Sequence, residues 1–237
     1  MAKILENKRI TDDFYLRKVE EENEAGVGQF YMLRAWDKYP VLSRPISVYD
    51  SDGKTVSFLY KVVGQGTELF KELEAGDSIT LDGPHGNGYP DAEGKIALVG
   101  GGVGVAPLYL LAKRLKEAHP ESVVDLYLGF SGEAMLVDQY EAVADSVTVN
   151  VGGFVTDEID PAQYDVIMTC GPEIMMRVLY KKCVQTGAKA PLYVSMENRM
   201  ACGIGACLVC TCKTKGGNKR ACKDGQVMLG SEVFGNE

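Results

Sequence analysis

Four cysteines near the end of the chain, Cys202, Cys207, Cys210 and Cys222, have the type and the spacing to do chemistry. They read C-x4-C-x2-C, with the fourth cysteine after eleven intervening residues. Three bunched thiolates can wrap one side of a small inorganic core, and a more distant fourth can close the other. The bunched spacing is that of a 2Fe–2S ligand run. Zinc also takes four thiolates and stands as the rival, although structural zinc sites usually pair two short-spaced knuckles. The run to Cys222 is shorter than in plant-type clusters, where the fourth ligand lies much further away. Gly203 and Gly205 free backbone N–H groups to turn towards sulfur. Cys212 is left over, a structural thiol or a reserve ligand. Met200, Ala201, Ile204, Leu208 and Val209 are apolar where a solvated loop would be polar, which suits a shield for the cluster or a docking surface.

A one-electron centre needs a source of electrons, and three further motifs could bind one. GGGVGVAP at 100–107 follows an apolar strand and opens a helix. Gly102 and Gly104 let backbone N–H groups approach a pyrophosphate, and Pro107 suits the first helical turn. Its bland reading is a tight strand-to-helix turn. Cys170, Gly171 and Pro172 end a later strand, at the sheet edge where open α/β sheets bind ligands. The bland reading of Cys170 is a small buried hydrophobe. Arg44, Pro45, Ile46 and Ser47 sit in a strand-like stretch. There Arg44 could bind a phosphate and Ser47 a heteroaromatic edge. Gly66 and Thr67 could serve a second phosphate oxygen. Read cold, RPIS is a strand carrying an exposed arginine.

These motifs need elements to position them. The chain has 237 residues, 46% hydrophobic and 24% charged, as expected of two compact domains plus a short segment. No apolar run approaches the roughly 18 residues of a membrane span, and MAKILENKRI carries no signal-peptide core, so a cytoplasmic location is expected. In that compartment clustered cysteines more often bind metal or do redox work than form disulfides. The net charge of −8 argues against nucleic-acid binding, and two histidines leave little material for a histidine-based site. QFYMLRAW, PISVYD, TVSFLYKVV and DSITLDG read as short strands of an antiparallel barrel over residues 1–92. From residue 93 to 192, strands alternate with helices, which predicts a doubly wound parallel α/β domain. PLYLLAKRLKEA puts Leu108, Leu111, Ala112 and Leu115 on one helical face, and Gly187 caps a second helix. Residues 193–237, Gly- and Cys-rich without a long period, form a small C-terminal module that needs a cofactor to hold it together.

Taken together, GQF at 28–30, RPIS at 44–47, GT at 66–67, GPHGNG at 83–88, the glycine turn and CGP at 170–172 resemble the ferredoxin–NADP reductase superfamily in kind and order. With the cysteine run, nearly the whole chain resembles the electron-transfer subunits of class B dihydroorotate dehydrogenases. The resemblance implies a six-stranded-type barrel binding FAD, an α/β domain taking NAD(H), and a 2Fe–2S cluster on Cys202, Cys207, Cys210 and Cys222. It assigns Arg44, Pro45, Ile46, Ser47, Leu59, Tyr60, Lys61, Gly66 and Thr67 to FAD. Gly102, Gly104, Pro107, Cys170, Gly171 and Pro172 go to NAD, with Cys170 at the nicotinamide. Ile46 departs from the aromatic that many reductases carry there, and Phe234 is the only aromatic near the end.

The chain has no room for a dihydroorotate-oxidising barrel of about 250 residues. The resemblance therefore implies a separate FMN-binding catalytic subunit, two copies of each chain, and a role in pyrimidine synthesis. Alternatives are a reductase subunit of a hydrogenase, sulfite reductase or transhydrogenase complex, a stand-alone NADH diaphorase, and a zinc-stabilised scaffold. Related transhydrogenase subunits tend to carry Asp where this chain has Cys202, which argues against that member of the group.

Overall fold

The computed structural model describes residues 1–235. The N-terminal half folds as β1 (Ala2–Arg9), β2 (Phe14–Glu20), β3 (Phe30–Arg34), β4 (Arg44–Ser47), β5 (Asp50–Ser51), β6 (Thr55–Lys61), α1 (Gln65–Lys71) and β7 (Ser78–His85). All pairings are antiparallel, in the order β4-β3-β7-β1-β2-β6-β5. The sheet thus has seven strands where six were expected, β5 being a two-residue addition on the edge of β6. Ile4, Val19, Val56, Phe58 and Ile79 form a common core on one face of this antiparallel sheet. The fully buried Arg17 donates to the Phe70 carbonyl at the end of α1 and lies over the Tyr60 and Phe70 rings. Helix α1 itself was not foreseen.

The second half contains β8 (Lys95–Gly101), a 3-10 turn (Gly102–Val105), α2 (Ala106–Ala118), β9 (Val123–Phe130), α3 (Val137–Glu141), β10 (Ser146–Val151), α4 (Val155–Glu158), β11 (Val166–Cys170), α5 (Glu173–Thr186) and β12 (Leu192–Ser195). These strands pair in parallel in the order β10-β9-β8-β11-β12, a doubly wound sheet whose order reverses between β8 and β11. β8 is buried on both faces, as expected of a central parallel strand. Leu108, Leu111, Ala112 and Leu115 of α2 are all buried against it, and Gly187 caps α5 with φ 66°. A tyrosine contact joins the two halves. Tyr49 stacks on Tyr109 at 4.5 Å and donates to Gln139 Oε1, and Lys113 pairs with Asp50 at 2.8 Å.

The C-terminal segment is tied back into this frame. β13 (Thr211–Thr214) and β14 (Gly217–Arg220) form a hairpin. β15 (Val227–Leu229) then adds antiparallel to β12 as the sixth strand of the parallel sheet, before α6 (Gly230–Val233). The expected boundary at 192/193 falls inside β12. Phe234 is buried against Tyr180, with Arg177 over its ring. Among the described residues, no helix is long and apolar enough to cross a membrane.

Candidate functional site

A cavity of about 360 Å³ opens where the barrel meets the carboxyl edge of the parallel sheet. Arg44, Pro45, Ile46 and Ser47 of β4 line it together with Leu59, Tyr60 and Lys61 of β6, and with Thr67. Eight of the nine residues expected at a flavin therefore share one wall. The ninth, Gly66, lies just behind: a Cβ there would sit 2.6 Å from Arg44 Nε, so the glycine lets the guanidinium lie flat on the α1 backbone. Arg44 also lies over the Trp36 ring at 5.4 Å. The Thr67 hydroxyl accepts from the Val63 and Gly64 N–H groups and donates to the Gly64 carbonyl, so its side chain caps α1. Ile46 presents an aliphatic face to the cavity.

The opposite wall was invisible in the sequence. It consists of Ser195 to Met200, with Gln226 and with Val103 and Ala106 from the glycine turn. Glu197 opens to this cavity, yet its carboxyl is crowded by protein, and burial raises its pKa. The buried Cys170 thiol lies 3.5 Å from Glu197 Oε1. Burial pushes that thiol well up, and the Glu197 charge adds to the effect. Tyr89, fully enclosed beside them, donates to the Thr169 carbonyl. No spacing rule links these residues, because three elements bring them together.

The raised Glu197 value has a direct consequence. A carboxyl harder to ionise in the fold than in the open chain costs no stability below the ordinary glutamate range near 4.3. The cost builds as pH rises through the folded value. Glu197→Gln is therefore expected to raise the melting temperature of the apoprotein relative to the parent at neutral pH. The gain should shrink to nothing towards pH 4, as thermal melts across pH will show; a pH-independent difference would rule out this carboxyl as the source.

A second cavity, of about 590 Å³, lies on the other side of the glycine turn at the carboxyl edge of β8, β9 and β11. Gly101, Gly102, Gly129, Phe154, Pro172 and Ile174 are among its lining. Of the six residues expected at a nicotinamide nucleotide, Gly102 and Pro172 reach it. Gly104 does not. A Cβ there would meet the Cys170 carbonyl and Gly171 Cα at 2.5 Å, so Gly104 seats the turn against β11. Gly171 packs in the same way on Gly101, with φ 150°. Pro107 is buried in the first turn of α2 and Cys170 faces the first cavity's back wall. The turn thus separates the two cavities, touching the second with Gly101 and Gly102 and the first with Val103 and Ala106. Asp125 accepts from Ser146 and Tyr164, away from both.

The four cysteines gather directly beyond the first cavity's wall, and they fall into two pairs. Cys210 and Cys222 are buried with sulfurs 3.2 Å apart. They share a core with Met32, Met196, Cys212 and Ala221. Cys202 is half-buried and Cys207 exposed. Cys202 Sγ accepts the N–H groups of Ala206 and Cys207 at 3.3 and 3.5 Å. Those backbone donors, that of Cys207 foremost, pull its pKa down to about 6, while burial pushes Cys222 up to about 12. Gly203, φ 71°, presses on Met32 and His85 of the barrel, and Gly205, φ 81°, on Lys223. Arg220 ties the two pairs together, donating to the Gly205 carbonyl and forking onto Asp224. Two thiols towards the core and two towards solvent, with N–H groups aimed at sulfur, form a donor set that fits two irons bridged by sulfide. Ile204, Leu208 and Val209 stand exposed around the outer pair.

Comparison with known proteins agrees with this arrangement. Residues 197–234 match the iron–sulfur cluster binding domain of dihydroorotate dehydrogenase B. The chain is 49% identical to a dihydroorotate dehydrogenase B (NAD+) electron-transfer subunit of Clostridium acetobutylicum, covering 100% of this chain and 98% of the relative. It is 44% identical to the corresponding subunit of Clostridium perfringens, over 98% and 96%. Among solved structures it resembles a chain of an NADH-dependent reduced ferredoxin–NADP oxidoreductase, with a TM-score of 0.88 and 31% identity over 98% of this chain and 89% of that one. A ferredoxin–NADP+ reductase from Neisseria gonorrhoeae shares the fold at a TM-score of 0.66 and 18% identity, over 84% and 93%.

Proposed function

Since the chain belongs to the family of dihydroorotate dehydrogenase B (NAD+) electron-transfer subunits, we propose that it passes electrons between a partner's dihydroorotate-oxidising site and NAD, in pyrimidine synthesis. When bound, the nicotinamide exchanges a hydride, the flavin links two-electron to one-electron chemistry, and the cluster carries single electrons. The observation that carries this reading is the order of the three sites. The second cavity, the first cavity and the cysteine pairs follow one another, with only the glycine turn and the wall at 195–200 between them.

Each residue then has a task. Arg44, seated on Gly66 and under Trp36, holds the FAD pyrophosphate by charge-assisted hydrogen bonds. Ser47, Leu59, Tyr60 and Lys61 border the flavin ring. Gly101, Gly102 and Pro172 would admit the nicotinamide nucleotide, and Glu197, backed by Cys170, borders the first cavity. Cys210 and Cys222 would hold the cluster from its buried side, and Cys202 and Cys207 from its exposed side. The exposed Ile204, Leu208 and Val209 form the surface on which the FMN-binding catalytic subunit docks, in an assembly with two of each chain. A cytoplasmic location keeps the seven free cysteines reduced.

Purified protein is expected to carry flavin absorption and about two acid-labile sulfides per chain. Zinc without sulfide would remove the cluster assignment. Co-purification should retrieve a dihydroorotate-oxidising flavoprotein; a hydrogenase or sulfite reductase subunit in its place would favour the other reductase reading. Arg44→Ala is expected to weaken FAD binding by about 10- to 100-fold, the worth of one charge-assisted contact. Fluorescence titration against riboflavin, which lacks the pyrophosphate and should bind unchanged, checks this assignment.

A further inference from the structure

Asn198 lines the first cavity, but its carboxamide reaches out of it into the cysteine loop. Nδ2 donates to the Cys210 carbonyl at 3.4 Å, to the Thr211 carbonyl at 3.2 Å and to Cys212 Sγ at 3.0 Å. An amide nitrogen carries two hydrogens, so three acceptors from one short stretch share them. Sharing of this kind fixes the plane of the amide, and with it the position of residues 210–212 relative to the cavity wall. Two residues further on, Met200 also lines the cavity and packs into the core that holds Cys210 and Cys222. The cysteine loop's buried half is therefore fastened to the very segment that borders the flavin cavity.

We infer that Asn198 is a positioning residue whose carboxamide sets the placement of Cys210 against the flavin cavity, and so the electronic coupling between flavin and cluster. Cys212 is the third anchor of that amide rather than a reserve ligand. Its buried sulfur is the soft acceptor that Asn198 Nδ2 meets at 3.0 Å. The inference rests on the proposed function, in that the cavity takes the flavin and the four cysteines take the cluster.

The test uses the loaded protein and the variants Asn198→Ala, Asn198→Ser and Cys212→Ala. FAD, iron and sulfide contents are measured first, then the paramagnetic resonance spectrum of the chemically reduced cluster. Anaerobic stopped-flow with NADH follows flavin and cluster bands separately. Asn198→Ala is expected to keep all three contents, shift the cluster's g-values and slow cluster reduction about tenfold or more, with flavin reduction within about twofold of the parent. Asn198→Ser, which retains a shorter donor, should recover part of the rate, and Cys212→Ala should show a smaller effect of the same sign. An unchanged spectrum and cluster rate would overturn the inference. So would loss of iron and sulfide at full FAD content in both Asn198 variants, which would make the residue an assembly element, or loss of the cluster in Cys212→Ala. Loss of FAD with a normal cluster in the Asn198 variants would also overturn it, by making Asn198 a flavin-holding residue, whereas a parent protein without FAD would sink the assignment of the cavity to flavin.

Discussion

Cys207→Ser is expected to abolish electron delivery to the catalytic subunit while leaving reduction of the flavin by NADH within about twofold of the parent. The expectation follows from where this cysteine stands. Cys207 is exposed on the outer side of the four-thiol set, and its sulfur packs against none of the buried core. Serine there removes a soft thiolate that iron requires, without opening a cavity or stranding a buried polar group. Cys222→Ser would confuse the two effects, because Cys222 is buried against Cys210, and a hydroxyl in its place would disturb packing as well as ligation. Iron and sulfide analysis should report the loss of cluster, and stopped-flow with NADH should report an intact flavin half-reaction. If both rates fell together while FAD stayed bound, the order nicotinamide, flavin, cluster would be wrong.

Gly104→Ala should be the most damaging small substitution in the nucleotide domain. The added methyl would stand 2.5 Å from the Cys170 carbonyl and from Gly171 Cα, and both are backbone atoms in the centre of the sheet. Neither can rotate away, so the turn must lift from β11. Overpacking of this kind costs about 1–3 kcal/mol, a fall in melting temperature of roughly 2–4 °C for each kcal/mol in a chain of this size. The function should suffer beyond the stability loss, since the same turn divides the two cavities and its displacement moves Gly102 and Val103 together. Gly102→Ala is the control. Gly102 has φ 58° but nothing within 4 Å of an added Cβ, so it carries a backbone penalty without a collision. Melting curves and NADH-dependent flavin reduction for the two variants should separate, with Gly104→Ala worse in both. Equal effects would mean that backbone conformation, not contact with β11, governs this turn.

What could be read from the chain alone was whatever is local. The helix face of Leu108, Leu111 and Leu115 and the Gly187 cap each depend on a few neighbouring residues, and each stands as read. The glycine turn was legible as a turn, yet its residues divide in purpose. Gly102 borders a cavity, whereas Gly104 answers to the Cys170 carbonyl of a strand more than sixty positions away. Glu197, Asn198 and Gln226 left no signal, since their roles arise only when β12 is laid beside β11 and the barrel closes over them. One cue could have been used: polar Glu197-Asn198-Arg199 stands between a strand and the first cysteine, flanked by Met196 and Met200. Helix α1 escaped because Gly64 and Gly66 weigh against a helix, and the Thr67 cap, the Arg17 bond to Phe70 and the distant Asn7 amide secure it. Phe234, unplaced in the sequence, turns out to fasten the chain's end to α5.

The return of β15 to the edge of β12 has an evolutionary side. Ser195 pairs with Val227, and Met196 donates to the Gln226 carbonyl, so the whole excursion carrying the cysteines leaves and rejoins the sheet at one point. Paired residues of adjacent strands stand only about 4.5–5.5 Å apart. A tight turn could therefore replace the excursion without moving β12, β15 or the second cavity, although residues 197–200 of the first cavity's wall would go with it. Geometrically the cluster is a cassette spliced into a hairpin. An ancestral two-cofactor reductase could have acquired it, or a descendant shed it, in a single insertion or deletion. The native contacts to be healed afterwards would include the seat of Gly203 on the barrel, the packing of Cys210 and Cys222 against Met32 and the Lys219–Glu232 ion pair.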